Sequence, residues 1–135
     1  MSAPRIIQCS KEHFRIYNVL CKNEDDKSSK DKKDKIFATR TPAIFLAAAI
    51  GINDNQTEEV IKERQLTRRE YLTGNENFES FEAIIKSKFK SSTEQEIVDK
   101  IMEFAAYGIE ILYEEYHKTG DIDFVRLTKD IKTLL

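Results

Sequence analysis

Apolar residues recur at helical spacing along most of this chain, and between Ala43 and Ile50 they run without a polar interruption. Thr41 is placed to cap that run, Pro42 suits a first helical position, and Gly51 followed by Ile52 is a left-handed stop signal. A helix that is apolar all round must be enclosed on all sides. The stretch is far shorter than the roughly 20 residues that span a bilayer. It therefore predicts the central post of a helical domain. Before it, Arg5–Cys9 is compatible with a brief strand. Ser10 then caps a helix over about 11–22, with Phe14, Tyr17, Leu20 and Cys21 on one face and Cys9 stapling onto Phe14.

After Asn53–Asn55 breaks the chain, Thr57 is read as the cap of a short helix holding Val60, Ile61 and Leu66. Asn77 is read as the cap of another helix, with Phe78, Phe81, Ile84, Ile85 and Phe89 inward. Thr93 with Glu96 fits a capping box, opening the longest helix at about 94–118. Its apolar face is Ile97, Ile101, Phe104, Ala105, Gly108, Ile111 and Leu112. Gly108 beside Ala105 leaves a shallow groove for another helix, and the alanine side of Ala47–Ala49 is the expected occupant. Gly120 ends this helix, and a last one capped by Asp123 carries Phe124, Leu127, Ile131 and Leu134. The fold class predicted is all-α, a compact single domain over 1–135. Five to six helices surround a short apolar central helix, with one short N-terminal strand at most.

Composition agrees with that reading. The 135 residues are 40% hydrophobic with four glycines and two prolines, which suits a folded, helix-rich domain. Asn23–Lys35 has no apolar residue and mixes both signs, so it reads as a solvated mobile loop, with a basic arm on DNA as the alternative. Residues 1–91 carry 17 basic and 14 acidic side chains, whereas residues 92–135 carry 5 and 10. That asymmetry hints at an anionic partner for the first part of the chain. The N-terminal stretch lacks a basic segment followed by an apolar one, so no signal peptide, no membrane partner and a cytoplasmic location are expected. A helix between Cys9 and Cys21 would hold them about 18 Å apart, too far for a disulfide.

Candidate chemistry is sparse. His13 and His117 are the only histidines, and neither has the spaced cysteines or carboxylates of a zinc motif. Ser10 beside His13 reads as a helix cap. Gly51 and Gly74 stand alone, so no glycine-rich phosphate loop is present. Glu110, Glu114 and Glu115 lie close on one helix, an arrangement commoner on a solvated face than around a cation. No catalytic residue, metal or cofactor is expected. The most concentrated arginine cluster is Lys62–Tyr71, where Arg64, Arg68 and Arg69 stand against Glu63 and Glu70. Guanidinium forks suit phosphate; local ion pairing on a solvated helix face is the alternative. If DNA is bound, these three and Arg40 are the residues expected to neutralise phosphates. The acidic face from Glu94 to Asp123 would repel DNA and suits a basic protein partner.

Two segments carry a family resemblance. Ile36–Ile52, with Phe37, Phe45, Ala47, Ala48, Ala49 and Gly51, and Glu103–Leu112, with Phe104, Ala105, Gly108 and Leu112, resemble the signature segments of the Dnd system-associated protein 4 (DNA phosphorothioation-associated protein 4) family. The resemblance implies a non-catalytic accessory of a bacterial anti-phage restriction system in which backbone sulfur marks self DNA. Its implied partners are other proteins of that system; double-stranded DNA, through phosphate contacts, is the further partner that the arginines allow. The matched residues are apolar or glycine, so they identify a core and not a site. A second reading comes from element order. Strand, helix and helix is the sequence of ribbon-helix-helix regulators, which bind DNA as homodimers.

Overall fold

The apolar run is helical and enclosed. In the computed structural model, which describes residues 5–21, 37–90 and 93–119, it forms the middle of helix α2 (Arg40–Asp54), where Ala43–Ile52 are buried except for the half-buried Leu46. Around it lie β1 (Ile6–Cys9), α1 (Lys11–Leu20), β2 (Arg64–Arg68), α3 (Arg69–Thr73), α4 (Phe78–Phe89) and α5 (Glu94–Thr119). The architecture is mostly helical, with five helices and one two-stranded sheet among the described residues. The helical expectation and the short N-terminal strand are both present, and β2, which pairs antiparallel with β1, is a second strand that the sequence reading did not include. The 23–35 loop and the final helix lie outside the described residues.

The long helix α5 packs most extensively on α2. Gly108 meets Ala47, as the small-residue groove predicted, and Gly51 meets the backbone of Phe104. Ile97, Val98, Ile101, Phe104, Ala105, Ile109 and Leu112 are buried along α5. Each large aliphatic or aromatic side chain so enclosed contributes about 1.5–3 kcal/mol relative to exposure. Helix α4 closes the opposite side through Phe81 on Phe45, with ring centroids 5.0 Å apart, and Phe89 on Phe104 at 5.7 Å.

Helix ends show where local signals prevail and where packing overrides them. Ser10 Oγ accepts the His13 amide at 3.1 Å, and Thr93 Oγ1 accepts that of Glu96 at 3.1 Å, as their sequence spacing predicted. Helix α2, however, starts at Arg40 after Thr39 rather than at a Thr41 cap, and Thr39 makes no side-chain capping bond. It also runs through Gly51 and ends at Asn55, which takes the left-handed conformation (φ 54°). Gly51 is needed inside the helix for close approach of α5, so it does not serve as the stop. Asn77 precedes α4 without a side-chain cap bond, and its own amide donates to Asn75 Oδ1 at 2.8 Å. Cys9 and Cys21 are both buried as thiols, not joined in a disulfide.

The stretch read as a short helix from Thr57 is instead an irregular connector, Gln56–Glu63, leading into β2. Its course is tied down at both ends. Glu58 N–H donates to the Glu103 carbonyl on α5, and Glu63 N–H to the Cys9 carbonyl on β1, both at 3.0 Å. Partnership with β1 is what makes Arg64–Arg68 a strand. Ile7 pairs with Thr67 and Gln8 with Gln65, so Leu66 is an extra residue on β2, a bulge. Its side chain is buried (2% exposed) while its neighbours on the strand are not.

Candidate functional site

The four arginines expected to meet phosphate fall into two kinds. Arg40, at the start of α2, is a clamp. One terminal nitrogen donates to the carbonyl of the bulged Leu66 and the other to Asn18 Oδ1 of α1, each at 2.7 Å. Its guanidinium also lies over the Phe14 ring, 5.0 Å from the centroid. One cation therefore ties α1, α2 and β2 together, and the carbonyl that the bulge frees from the ladder finds its donor there. Arg69, first residue of α3, pairs with Glu94 of α5 and is largely covered. Arg64 and Arg68 differ. Both are exposed; Arg64 donates to the Glu63 carbonyl at 3.1 Å, and Arg68 makes only a loose contact with Glu70 at 3.6 Å.

A cleft of about 870 Å³ opens beside Arg68. It is lined by Thr39, Arg40, Thr41 and Pro42 at the start of α2, by Gln65–Arg68 of β2, and by Glu70, Tyr71, Gly74 and Asn75. Hydroxyls, amides and two guanidiniums dominate this lining, and Glu70 is its single acidic member. Tyr71 is 54% exposed at that surface. A second cleft, about 630 Å³, has the opposite character. Glu58, Glu59, Asp99 and Glu103 line it against Lys62 and Arg69. Arg69 Nε and Gln95 Oε1, both enclosed and both on residues lining that cleft, make no hydrogen bond within the protein.

No family model, curated protein or solved structure matches this chain.

One cluster has no sequence signal. His13 of α1, Glu58 of the connector and Glu110 of α5 converge, with their ligand atoms all within 4.8 Å of one another. His13 Nε2 lies 3.3 Å from Glu110 Oε1 and 4.0 Å from Glu58 Oε2. The imidazole is 11% exposed, whereas the carboxylates keep 40% and 44%. Partial burial, then a hydrogen bond with Glu110 and that residue's charge, push the Glu58 carboxyl up from its ordinary value, against the pull of His13. Ser10 and His13 do form the predicted cap. What the spacing could not reveal is that the imidazole then faces two carboxylates from remote elements.

Proposed function

We propose that this chain is a non-catalytic accessory protein that binds duplex DNA through its phosphates, in a defence system linked to DNA phosphorothioation. The pathway rests on the resemblance of Ile36–Ile52 and Glu103–Leu112 to the Dnd-associated family. The binding mode rests on one observation: the exposed Arg68 lines a cleft whose lining holds a single carboxylate, and Arg64, also exposed, stands at the other end of the same strand. Four strand steps separate them, about 13 Å, so they would reach different phosphates. Arg40 contributes by holding β2 in place rather than by touching DNA. Such contacts position a protein without reading sequence. The acidic side of α5 suits a basic protein partner.

The test is fluorescence anisotropy with a labelled duplex at several salt concentrations. Two neutralised phosphates give a slope of log K against log salt near about −2, and each of Arg64→Ala and Arg68→Ala flattens it by about one. Full affinity in the double variant would refute the assignment of this surface. The ribbon-helix-helix alternative would need β1 to pair with a second copy through the edge that does not face β2.

A further inference from the structure

We propose that His13, Glu58 and Glu110 form a binding site for one divalent first-row transition ion. The reading is independent of the DNA-binding proposal and concerns a different part of the molecule. Around zinc, with bonds of about 2.0–2.2 Å, neighbouring ligand atoms sit about 3–3.5 Å apart. The His13–Glu110 separation of 3.3 Å already has that value, and His13–Glu58, at 4.0 Å, exceeds it by an amount that a small side-chain rotation closes.

The donors are held in place by bonds that have nothing to do with an ion. The His13 amide is fixed by the Ser10 cap, and the Glu58 amide by the Glu103 carbonyl on α5. Glu110 projects from the same helix about two turns further on. The imidazole is enclosed beside Cys9, Tyr17, Val60 and Met102, a mostly apolar wall that strengthens any charge interaction next to it. Both carboxylates reach solvent, which gives an ion its way in and leaves coordination positions for water. Among the described ion pairs, neither Glu58 nor Glu110 has a lysine or arginine partner, and His13 is the basic side chain that meets both. Two carboxylates beside one imidazole thus carry more negative charge than their surroundings neutralise, and a dication supplies the balance.

Donor chemistry selects the metal. Calcium and magnesium prefer all-oxygen sites, whereas an imidazole nitrogen with carboxylates suits zinc and its first-row neighbours. Binding would staple the Gln56–Glu63 connector to α1 and α5.

The experiment is calorimetric titration of the chelator-treated full chain with zinc chloride, in excess magnesium to suppress loose carboxylate binding. Thermal unfolding is followed with and without zinc. One equivalent binds, the melting temperature rises, and Glu110→Gln and Glu58→Gln each weaken binding more than about 10-fold, the low end of what loss of even an outer partner costs. His117→Gln, altering the other histidine, leaves it unchanged. Glu110 is half-exposed, so its Gln variant stays folded, which circular dichroism checks; His13→Gln gives the third arm. Absence of saturable zinc binding to the folded wild-type chain overturns the proposal. So does binding that survives Glu110→Gln, or binding that is lost in His117→Gln.

Discussion

Gly108 of α5 lies so close to the Ala47 carbonyl of α2 that no side chain fits between them. A Cβ built on Gly108 would overlap that oxygen and stand 2.6 Å from the carbonyl carbon. One turn along each helix the contact is repeated in reverse. A Cβ on Gly51 of α2 would lie 2.9 Å from the carbonyl carbon and Cα of Phe104 on α5. The two helices therefore run antiparallel with backbone against backbone, and each supplies one glycine.

Gly108→Ala and Gly51→Ala should both destabilise the fold, by about 3 kcal/mol each, at the upper end of overpacking costs because the obstructing atoms are main chain. At an unobstructed helical position the same change would stabilise by up to about 1 kcal/mol. The sign is therefore diagnostic, and urea unfolding midpoints read it. A gain in stability for Gly108→Ala would mean the helices stand further apart than described.

Alkaline pH should loosen the fold through Cys9 and Tyr17. Burial pushes the Cys9 thiol up from 9.0 to about 11, with Arg40 pulling weakly the other way. Burial raises the Tyr17 hydroxyl as well, reinforced by the charges of Cys9 and Cys21. Between the unfolded and folded values the native state holds a proton that the unfolded chain has lost. Stability is then whole below the unfolded value and falls as pH rises through the folded one. For Cys9 the loss approaches about 2–3 kcal/mol. Unfolding midpoints measured from neutral pH upward should decline across that window, and Cys9→Ser should flatten part of the decline. A level midpoint would contradict the burial of these groups.

Much of this architecture was legible because it is written locally. An unbroken apolar run must be enclosed, and Gly108 beside Ala105 must admit a close neighbour. The Ser10 and Thr93 caps follow from side chains three residues from their targets. What failed depends on remote partners. RQLTR has one apolar residue, and only pairing with β1 and the bulge at Leu66 make it a strand. Gly51 carries the same signal as a helix stop and as a close-approach residue, and α5 decides between them. His13 and Glu110 are 97 positions apart, so no spacing rule could join them. Among the arginines, sequence proximity grouped Arg64, Arg68 and Arg69, but packing splits them between exposed and clamped roles.

Lys90 offers a change that should stabilise. It ends α4 in the left-handed conformation at φ 54°, and its N–H donates to the Lys86 carbonyl at 3.2 Å. A side chain there costs about 1–2 kcal/mol of local strain, and the residue is exposed, with little packing to offset it. Lys90→Gly should raise stability by roughly 0.5–1 kcal/mol after glycine's greater unfolded-state freedom is counted. Thermal unfolding would show it, and a lowered midpoint would mean that the helix does not end this way.

Arg40 separates fold from binding. Its two charge-assisted bonds to the Leu66 carbonyl and Asn18, each worth about 1.5–3 kcal/mol in favourable settings, cannot be replaced by one apolar methyl. Arg40→Ala should cost about 3 kcal/mol and free the bulge carbonyl without a donor. Arg40→Lys should recover less than half of that loss, because a single ammonium cannot span both acceptors as the planar fork does. Arg68→Ala, on an exposed guanidinium with a loose contact to Glu70, should leave stability within about 0.5 kcal/mol. Paired stability and DNA-binding measurements on these variants give opposite patterns for a clamp and a contact. An Arg40→Ala protein of undiminished stability that had lost DNA affinity would place Arg40 on the ligand and remove it from the joint between α1, α2 and β2.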